Sequence, residues 1–410
     1  MEEVIHDAKR LSELQALPLE RKILISQTRI IEWNQHWKGN VCVSFSGGKD
    51  STVLLNLVHK INPDVPAVFS NTGLEYPEIQ KFSRENNAVF LTPKMRFNEV
   101  INVYGYPLIG KEVAGFISYA RKPCIDGAED AEAIRRARNT FLHYAKENDI
   151  RTPIKTQTFD GTQIDLDEND TIYNSKFRSK VKLDMFTHEK WLLLAQEIPA
   201  KISNHCCYIM KKSPMRTYFA ENKVFPFIGT LATESRLRKY AWIKNGCNSF
   251  SGRYQSSQPL SFWTEQDILA YIVQNNLKIA SVYGDIVSVD PYGMKYSPTD
   301  SFGNVRPRLK CTGCSRTGCI FCGFGLHSTL DKETSFQRLA KTHPRQYEYC
   351  IGGGKWIQNP DYDPFMPKYD GEWKNWNPKE LWVPSEKGLG MGALFDMVND
   401  IYGKDFYRYR

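Results

Sequence analysis

The sequence has no long apolar run. No stretch approaches the roughly 18 consecutive apolar residues that a membrane-spanning helix needs, and the first residues, MEEVIHDAKR, are charged from the second position. A secretory leader instead places an apolar segment after a short basic one. We therefore expect a cytoplasmic protein that makes no use of a membrane.

An excess of negative charge, tandem repeats and low-complexity tracts are missing as well. The 54 Lys and Arg residues outnumber the 46 Asp and Glu residues, which gives a formal net charge of +8. A basic balance suits a phosphate-bearing substrate or a nucleic acid, and it suits an ordinary solvated surface equally well. The 410 residues, 41% hydrophobic and 24% charged, predict a globular protein with one large core and insertions, or with roughly two or three units.

The phosphate-binding pattern GxxxxGK[ST] is absent, and a different turn is present. Residues 41–55, VCVSFSGGKDSTVLL, run from an apolar strand-like segment through a polar turn at 46–51 into an apolar helix-like segment. Adjacent glycines let the backbone approach an anion, serine hydroxyls donate to it, and the first helical turn presents unpaired N–H groups. A tight polar connection without a ligand is the alternative, but six specified residues in a strand–turn–helix context favour phosphate binding.

The SGGKDS run at 46–51 resembles the PP-loop of the ATP pyrophosphatases (adenine nucleotide alpha hydrolases), which bind ATP and cleave it between the α- and β-phosphates. Later motifs resemble the phosphoadenylylsulfate (PAPS) reductase-like branch of that superfamily. The resemblance implies an α/β fold with a doubly wound, mostly parallel sheet, a helical N-terminal cap, an insertion and a Cys-rich C-terminal part. It implies that Lys49 and Asp50 are catalytic and that the nucleotide contacts include Ser44, Ser46, Gly47, Gly48, Lys49, Asp50 and Ser51.

Three further segments resemble nucleotide-binding parts of the same family. The run NTGLEYPE follows a second strand-like segment at 65–71, and a helix N-cap with an acidic first turn explains it equally well. A YGYP turn precedes a lysine, and a Glu-Ser pair precedes two arginines that do not share one helical face. An exposed loop and an exposed basic helix remain the alternatives for these two. The resemblance adds as nucleotide contacts Asn71, Thr72, Gly73, Glu75, Lys111, Arg236 and Arg238.

The chain contains ten cysteines, and six of them form motifs. Cys206 and Cys207 are adjacent, a spacing that strains a disulfide. Two Cys-x-x-Cys pairs lie within 12 residues and favour a metal, with a redox dithiol or buried thiols as alternatives. A zinc ribbon separates such pairs by about 15 to 20 residues, whereas four intervene in CTGCSRTGCIFC. The candidate ligands are Cys206, Cys207, Cys311, Cys314, Cys319 and Cys322.

The family resemblance favours a [4Fe–4S] cluster over zinc. Sulfonucleotide reductases that carry this cluster ligate it with a Cys-Cys pair and a later Cys-x-x-Cys. This implies Cys206, Cys207, Cys319 and Cys322 as ligands, with Cys311 or Cys314 able to substitute.

Composition shifts along the chain predict its organisation. The segment 11–37 is predicted to form one or two amphipathic helices, whose buried face would include Ile23, Ile25, Ile30, Ile31 and Trp33. Thr264-x-x-Asp267 predicts a further helix start, and 124–183 lacks a clear pattern. Interleaved aromatic and basic residues near the C-terminus can stack single-stranded bases, although packing onto the main domain is favoured. The predicted parts are a helical cap at 1–38, a PP-loop half at 39–123, an insertion at 124–183, a Cys-containing remainder at 184–345 and a Trp-rich extension at 346–410.

The resemblance supports an enzyme that uses ATP or PAPS with Mg²⁺, and three functions compete. Two departures count against a reductase: the reductases' Glu-Cys-Gly-x-His tail is replaced by GKDFYRYR, and SGGKDS is intact where true reductases usually alter it. We therefore favour adenylation of a tRNA or DNA acceptor coupled to sulfur transfer, with a cysteine desulfurase as partner. The alternatives are a PAPS or adenylylsulfate reductase served by a thioredoxin-like partner, and a non-catalytic nucleotide- and cluster-binding module.

Overall fold

The computed structural model of the protein describes residues 6–121, 194–252, 254–289, 308–328, 333–366, 375–403 and 406–410. The chain forms two units, one made of Met1–Lys94 with Ile209–Cys319 and the other of Met95–Tyr208 with Ile320–Arg410. The predicted insertion at 124–183 lies outside the described residues. The boundaries predicted from sequence stay predictions.

The first unit is built on a six-stranded sheet in the order β3-β2-β1-β4-β6-β5. All neighbouring pairs are parallel except the antiparallel pair of β5 and β6 at one edge. A separate antiparallel pair is formed by β7 and β8. The strands are β1 (Val41–Ser44), β2 (Ala67–Ser70), β3 (Val89–Leu91), β4 (Phe225–Ile228), β5 (Asn248–Ser249), β6 (Ser256–Ser257), β7 (Ile286–Val289) and β8 (Arg308–Cys311).

The sheet reverses its direction of growth between β1 and β4. The chain moves outward from β1 to β2 and β3 and then returns to place β4 on the other side of β1. In open α/β sheets, ligands bind at such a switch point, beyond the carboxyl ends of the strands. The predicted PP-loop follows β1 directly, and Gly229 follows β4, so the fold brings both turns to this position.

Helices cover the sheet of the first unit. Cys42 and Val68 on one face pack with Met215 of α7, and because side chains alternate along a strand, Val41 and Val43 point to the other face. The described helices of this unit are α1 (Ala8–Ala16), α2 (Leu19–His36), α3 (Lys49–His59), α4 (Pro77–Glu85), α7 (Ser213–Asn222), α8 (Arg236–Asn245) and α9 (Glu265–Gln274). This mostly parallel sheet with its helices confirms the predicted α/β fold class.

The predicted helical cap consists of α1 and α2. The apolar face proposed from sequence is only partly correct, because Ile30 and Trp33 are buried whereas Ile31 is 39% exposed. Lys22 and Ser26 complete the buried stripe of α2. Both polar side chains have partners, since Lys22 pairs with Asp267 and Ser26 donates to the carbonyl of Pro259.

The second unit is mostly helical in its described part. Its helices are α5 (Phe97–Tyr104), α6 (Lys111–Ala120), α10 (Ser335–Thr342), α11 (Pro344–Ile351) and α12 (Met391–Tyr402). Strands β9 (Lys355–Gln358) and β10 (Glu380–Val383) form an antiparallel hairpin in which Trp356 lies opposite Trp382. Among the described residues of both units, no helix has both the length and the apolar character needed to cross a membrane.

Candidate nucleotide site

The PP-loop is crowded at both of its glycines. Gly47 has φ +68°, and a Cβ at this position would lie 2.8 Å from side-chain atoms of Ile79 and Ser83. A Cβ on Gly48 would lie 3.2 Å from the Tyr283 hydroxyl. At position 47 only glycine combines a left-handed backbone with such close neighbours. The loop is therefore packed tightly against other residues of the first unit.

The two loop serines hold the turn closed. Their hydroxyl oxygens are 3.0 Å apart, and the Ser46 N–H donates to the Ser51 hydroxyl at 3.2 Å. Ser51 in turn lies 2.9 Å from the carbonyl of Gly48. Helix α3 begins at Lys49. Gly229, which follows β4, packs against the start of this helix, since a Cβ built on Gly229 would lie 3.2 Å from backbone atoms of Asp50 and Ser51. The amino end of α3 thus lies at the switch point of the sheet, where its N–H groups and dipole favour an anion.

Lys49 is a buried cation with three oxygen partners. Its Nζ lies 3.2 Å from Glu265, 3.7 Å from Asp50 and 3.1 Å from the carbonyl of Ser315. Burial acts to lower the pKa of Lys49, but the carboxylates of Asp50 and Glu265 outweigh it and hold the pKa above its ordinary value. The side chain is therefore charged at neutral pH.

Asp50 lies beside the Lys49 ammonium, whose Nζ is 3.7 Å from Oδ1 of the carboxylate, beyond hydrogen-bond distance. Its Oδ1 is buried and has no hydrogen-bond partner in the part of the chain that the structure describes. Burial raises the pKa of Asp50, and the attraction of Lys49 offsets this only in part. A carboxylate oxygen in this state is a chemically suitable ligand for a hard cation such as Mg²⁺.

Two cavities flank the PP-loop within the first unit. The larger, of about 390 Å³, is lined by Lys49, Asp50, Glu234 and the first turn of α9, and also by Arg308 and Arg316. The smaller, of about 150 Å³, is lined by Ser44, Ser46, Ser70, Glu75 and Lys211, with Thr317 and Gly318 beside them. The larger cavity carries three cationic side chains and three carboxylates, those of Asp50, Glu234 and Glu265, so its lining is balanced in charge and can contact both a phosphate and a cation.

The second predicted loop is held largely by its own side chains. The Glu75 carboxylate accepts hydrogen bonds from the Thr72 N–H at 3.1 Å and the Thr72 hydroxyl at 2.7 Å, and it lies 3.7 Å from Lys211. Gly73 has φ +74°. Asn71 has a buried Oδ1 without a hydrogen-bond partner among the described residues. Glu75 lines the smaller cavity, whereas Thr72 serves the turn itself.

The remaining predicted nucleotide contacts are placed differently. Arg238 pairs with Glu234, which also accepts from Arg316 at 2.6 Å, so Glu234 lies between two guanidinium groups beside the larger cavity. Burial lowers the pKa of Arg238. Arg236 begins α8. Lys111 is exposed at the start of α6 in the second unit, where its carbonyl accepts from Asn204.

The candidate metal ligands are distributed over both units. Cys311 and Cys314 are buried thiols of the first unit, and Cys319 is half-buried there. Burial raises the pKa of Cys311, and the neighbouring Cys314 adds to this. Cys206, Cys207 and Cys322 belong to the second unit. Among the described residues, no group of three or more His, Cys, Asp or Glu side chains is arranged to hold a metal ion.

Sequence reasoning missed several residues that contact the PP-loop. Glu265 directly follows the predicted helix start at Thr264, and the capping box with Asp267 is confirmed, but nothing in the sequence links it to Lys49. Tyr283 and Thr317 were missed for the same reason. They are 234 and 268 positions from Lys49, and only the tertiary fold brings them to the loop.

Comparison with known proteins agrees with this architecture. The family model described as "Phosphoadenosine phosphosulfate reductase domain" matches residues 40–103 and 155–323, which is more than half of the chain. A solved structure of phosphoadenylyl-sulfate (PAPS) reductase from Candida auris covers 67% of this chain and 90% of its own, at 13% identity and a TM-score of 0.29. At that TM-score the solved structure adds nothing to the fold assignment, which rests on the sheet and the family model.

Curated relatives match over shorter stretches. A phosphoadenosine 5'-phosphosulfate reductase of Klebsiella pneumoniae subsp. pneumoniae is 32% identical over 100 residues, covering 22% of this chain and 39% of the relative. One of Serratia proteamaculans is 33% identical over 84 residues, covering 18% of this chain and 34% of the relative. The chain thus spans little more than a third of the length of these relatives. On the family model's match to residues 40–103 and 155–323, the chain belongs to the phosphoadenosine phosphosulfate reductase domain family.

Proposed function

We propose that the protein is an enzyme that binds ATP, or a related adenine nucleotide, at the PP-loop and uses it to adenylate an acceptor. The observation that carries the proposal is the buried Lys49 ammonium beside the amino end of α3, facing the larger cavity. Phosphate chains are bound in proteins by this combination of helix N–H groups and a cation.

Each residue of the site has a role in this reaction. Gly47 and Gly48 let the phosphate chain approach the backbone, and Ser46 and Ser51 offer hydroxyl donors. Lys49 offsets the charge that develops on the leaving pyrophosphate. The Asp50 carboxylate would hold Mg²⁺ through Oδ1, which has no hydrogen-bond partner among the described residues, and the ion would offset phosphate charge.

The proposed chemistry proceeds by successive bond exchanges. An acceptor oxygen attacks the α-phosphorus, the bond to the bridging oxygen breaks, and pyrophosphate leaves. The outer sulfur of a persulfide, supplied by a desulfurase partner and carried on a cysteine, then attacks the activated acceptor and displaces AMP. A second thiol attacks the resulting disulfide and releases the thiolated acceptor, and a thioredoxin-like dithiol reduces the disulfide that remains on the protein. We propose a tRNA or DNA as the acceptor, since the chain is basic.

The [4Fe–4S] cluster predicted from sequence stays a proposal, with zinc as the alternative. Thiolate is the ligand that iron–sulfur clusters require, and Cys311 with Cys314 offers a buried pair of thiols in the first unit. When bound, the cluster would supply electron or sulfur transfer and would be held by four of Cys206, Cys207, Cys311, Cys314, Cys319 and Cys322. Because no group of three such ligands is assembled among the described residues, no step above depends on it.

A second candidate function is favoured by the names of the Klebsiella pneumoniae and Serratia proteamaculans relatives, both of which are phosphoadenosine 5'-phosphosulfate reductases. In that reaction a cysteine thiolate attacks the sulfur of PAPS and releases adenosine 3',5'-bisphosphate. A thioredoxin-like dithiol then reduces the S-sulfonate and releases sulfite. Cys350 does not suit the attack, because it is fully buried and burial raises its pKa well above the ordinary value.

The test measures pyrophosphate and sulfite separately. Anaerobically purified protein is incubated with Mg-ATP or PAPS, a total tRNA or DNA acceptor and a sulfide source. We expect pyrophosphate from ATP, reduced at least about 100-fold in Lys49→Met and unchanged in Lys60→Met, a control lysine that contacts Tyr271 and Asn275 instead. Sulfite from PAPS without pyrophosphate from ATP would replace the adenylation proposal by the reductase. Nucleotide binding without either product would leave a non-catalytic module.

A further inference from the structure

Residues 315–317, which lie between the two Cys-x-x-Cys pairs, form hydrogen bonds at and beside the PP-loop. The carbonyl of Ser315 accepts from the Lys49 ammonium at 3.1 Å, and Arg316 donates to Glu234 at 2.6 Å. The hydroxyl of Thr317 lies 2.8 Å from that of Tyr283. Three consecutive residues, 315–317, therefore hold contacts around the loop within the first unit.

The Tyr283 hydroxyl accepts a hydrogen bond from a backbone N–H group of the loop. Its oxygen accepts from the Lys49 N–H at 3.2 Å, which is the first N–H group of α3. The side chain is only 2% exposed. The N–H groups of a first helical turn have no intrahelical partner and are the donors that a bound phosphate uses. Tyr283 thus fills a position that a phosphate oxygen would take.

The hydroxyl pair borders the smaller cavity through Thr317 and contacts, through Tyr283, the backbone of Lys49, whose residue lines the larger one. Thr317 lines the cavity of about 150 Å³, whereas Arg316 and Lys49 line the cavity of about 390 Å³. Gly48 lies beneath the pair, since a Cβ on it would be 3.2 Å from the Tyr283 hydroxyl and 3.6 Å from that of Thr317. A ligand that contacts the backbone at Gly48 therefore lies close to the Tyr283 and Thr317 hydroxyls.

We propose that Tyr283 and Thr317 form a latch over the PP-loop, and that a phosphate chain opens it by replacing the Tyr283 hydroxyl on the Lys49 N–H. The inference rests on the proposed binding of a nucleotide at this loop. If the phosphate also draws the Lys49 ammonium from the Ser315 carbonyl, residues 315–317 lose one of these three contacts, and the displaced Tyr283 hydroxyl is the partner of a second, that of Thr317. The loop's occupancy is thereby linked to the peptide that joins Cys314 to Cys319.

The latch makes a prediction about affinity that a merely structural contact does not. Because the hydroxyl competes with phosphate, Tyr283→Phe leaves the Lys49 N–H without this acceptor in the ligand-free protein while the ring is retained. The phosphate then gains a hydrogen bond without breaking one. We expect Tyr283→Phe to bind inorganic pyrophosphate with Mg²⁺ about five-fold more tightly than the unaltered protein, the scale of one net hydrogen bond.

Thr317→Val tests the other half of the latch. It removes one of the two partners of the Tyr283 hydroxyl and keeps the β-branched shape. We expect a smaller gain in affinity, about two-fold, and no further gain when it is added to Tyr283→Phe, because both substitutions act through one hydroxyl. The matched control is Tyr271→Phe, whose hydroxyl contacts Asn56 and Lys60 instead of the PP-loop. It should leave the affinity unchanged.

Isothermal titration calorimetry of the full chain with Mg-pyrophosphate and Mg-ATP gives these affinities. A Tyr283→Phe variant that binds pyrophosphate as weakly as the unaltered protein, or more weakly, overturns the latch. Tighter pyrophosphate binding without any turnover of ATP upholds the latch while the proposed adenylation fails. Absence of pyrophosphate and ATP binding in the unaltered protein and in both variants overturns the latch together with the nucleotide site.

Discussion

Single atoms around Gly47 determine which residue this position accepts. The backbone has φ +68°, and the space that a side chain would enter is already taken by Ile79 and Ser83 of α4. An alanine there is destabilising for two reasons: its left-handed backbone conformation is unfavourable, and its methyl group clashes with side chains of α4. The conformation of the turn therefore depends on the close packing of α4 against Gly47.

We expect Gly47→Ala to lower the free energy of unfolding by about 2 kcal/mol or more and to weaken pyrophosphate binding at least about ten-fold. Urea unfolding and calorimetric titration measure the two effects. Gly39→Ala is the matched control, because Gly39 has φ +80° but no atom within 4 Å of a built Cβ. It should cost about 1 kcal/mol and leave binding intact. Equal losses in the two variants would show that crowding by α4 has no effect.

Residues of the turn could be predicted from sequence, whereas their partners could not. The residues that end a strand, form a turn and begin a helix are neighbours in the sequence. Residues 41–55 therefore predict β1, a turn with two glycines and the start of α3, and the structure has these elements there. Glu265 and Tyr283 lie more than 200 positions farther along the chain. Their contacts with Lys49 are set by the packing of distant elements, which neither hydropathy nor motif spacing records.

Among the helices, α2 contains a buried polar residue, Lys22, that its hydrophobic pattern does not predict. The Lys22 ammonium is 2.6 Å from Asp267 of α9 and also donates to the carbonyl of Gln15. Asp267 accepts from the Thr264 N–H and hydroxyl as well. This pair therefore joins the helical cap to the turn that carries Glu265. The sequence predicted both helices, yet it assigned the buried face to isoleucines, because the partner of Lys22 is 245 positions away.

Lys22→Met should destabilise the first unit by about 3 kcal/mol, because it leaves the Asp267 carboxylate buried without its cation. Adding Asp267→Asn should recover part of that loss, since the second substitution removes the uncompensated charge. Urea unfolding of the two single variants and the double variant measures the coupling. The control is Arg10→Ala at an exposed pair with Glu13, which should cost less than about 1 kcal/mol. A Lys22→Met loss no larger than that of the control would contradict a structural role for the pair.

At the scale of the whole molecule, the predicted functional residues are divided between two units. The PP-loop, both cavities and the latch lie in the unit of Met1–Lys94 and Ile209–Cys319. Lys111, Cys206, Cys207 and Cys322 lie in the other. The sequence predicted the α/β class through its resemblance to a family. It did not predict that each unit is made from two separate stretches of chain, because long-range pairing leaves no periodic pattern.

This division predicts where a bound nucleotide increases protection. At about 100 times its dissociation constant, a ligand stabilises the state that binds it by about 2.7 kcal/mol. We expect saturating Mg-ATP to slow amide hydrogen exchange of globally protected groups in β1, α3 and β4 of the first unit, measured by mass spectrometry. Amides of the β9–β10 hairpin in the second unit should change less. Lys49→Met should abolish the protection, and a gain confined to the second unit would contradict the assignment of the nucleotide to the PP-loop.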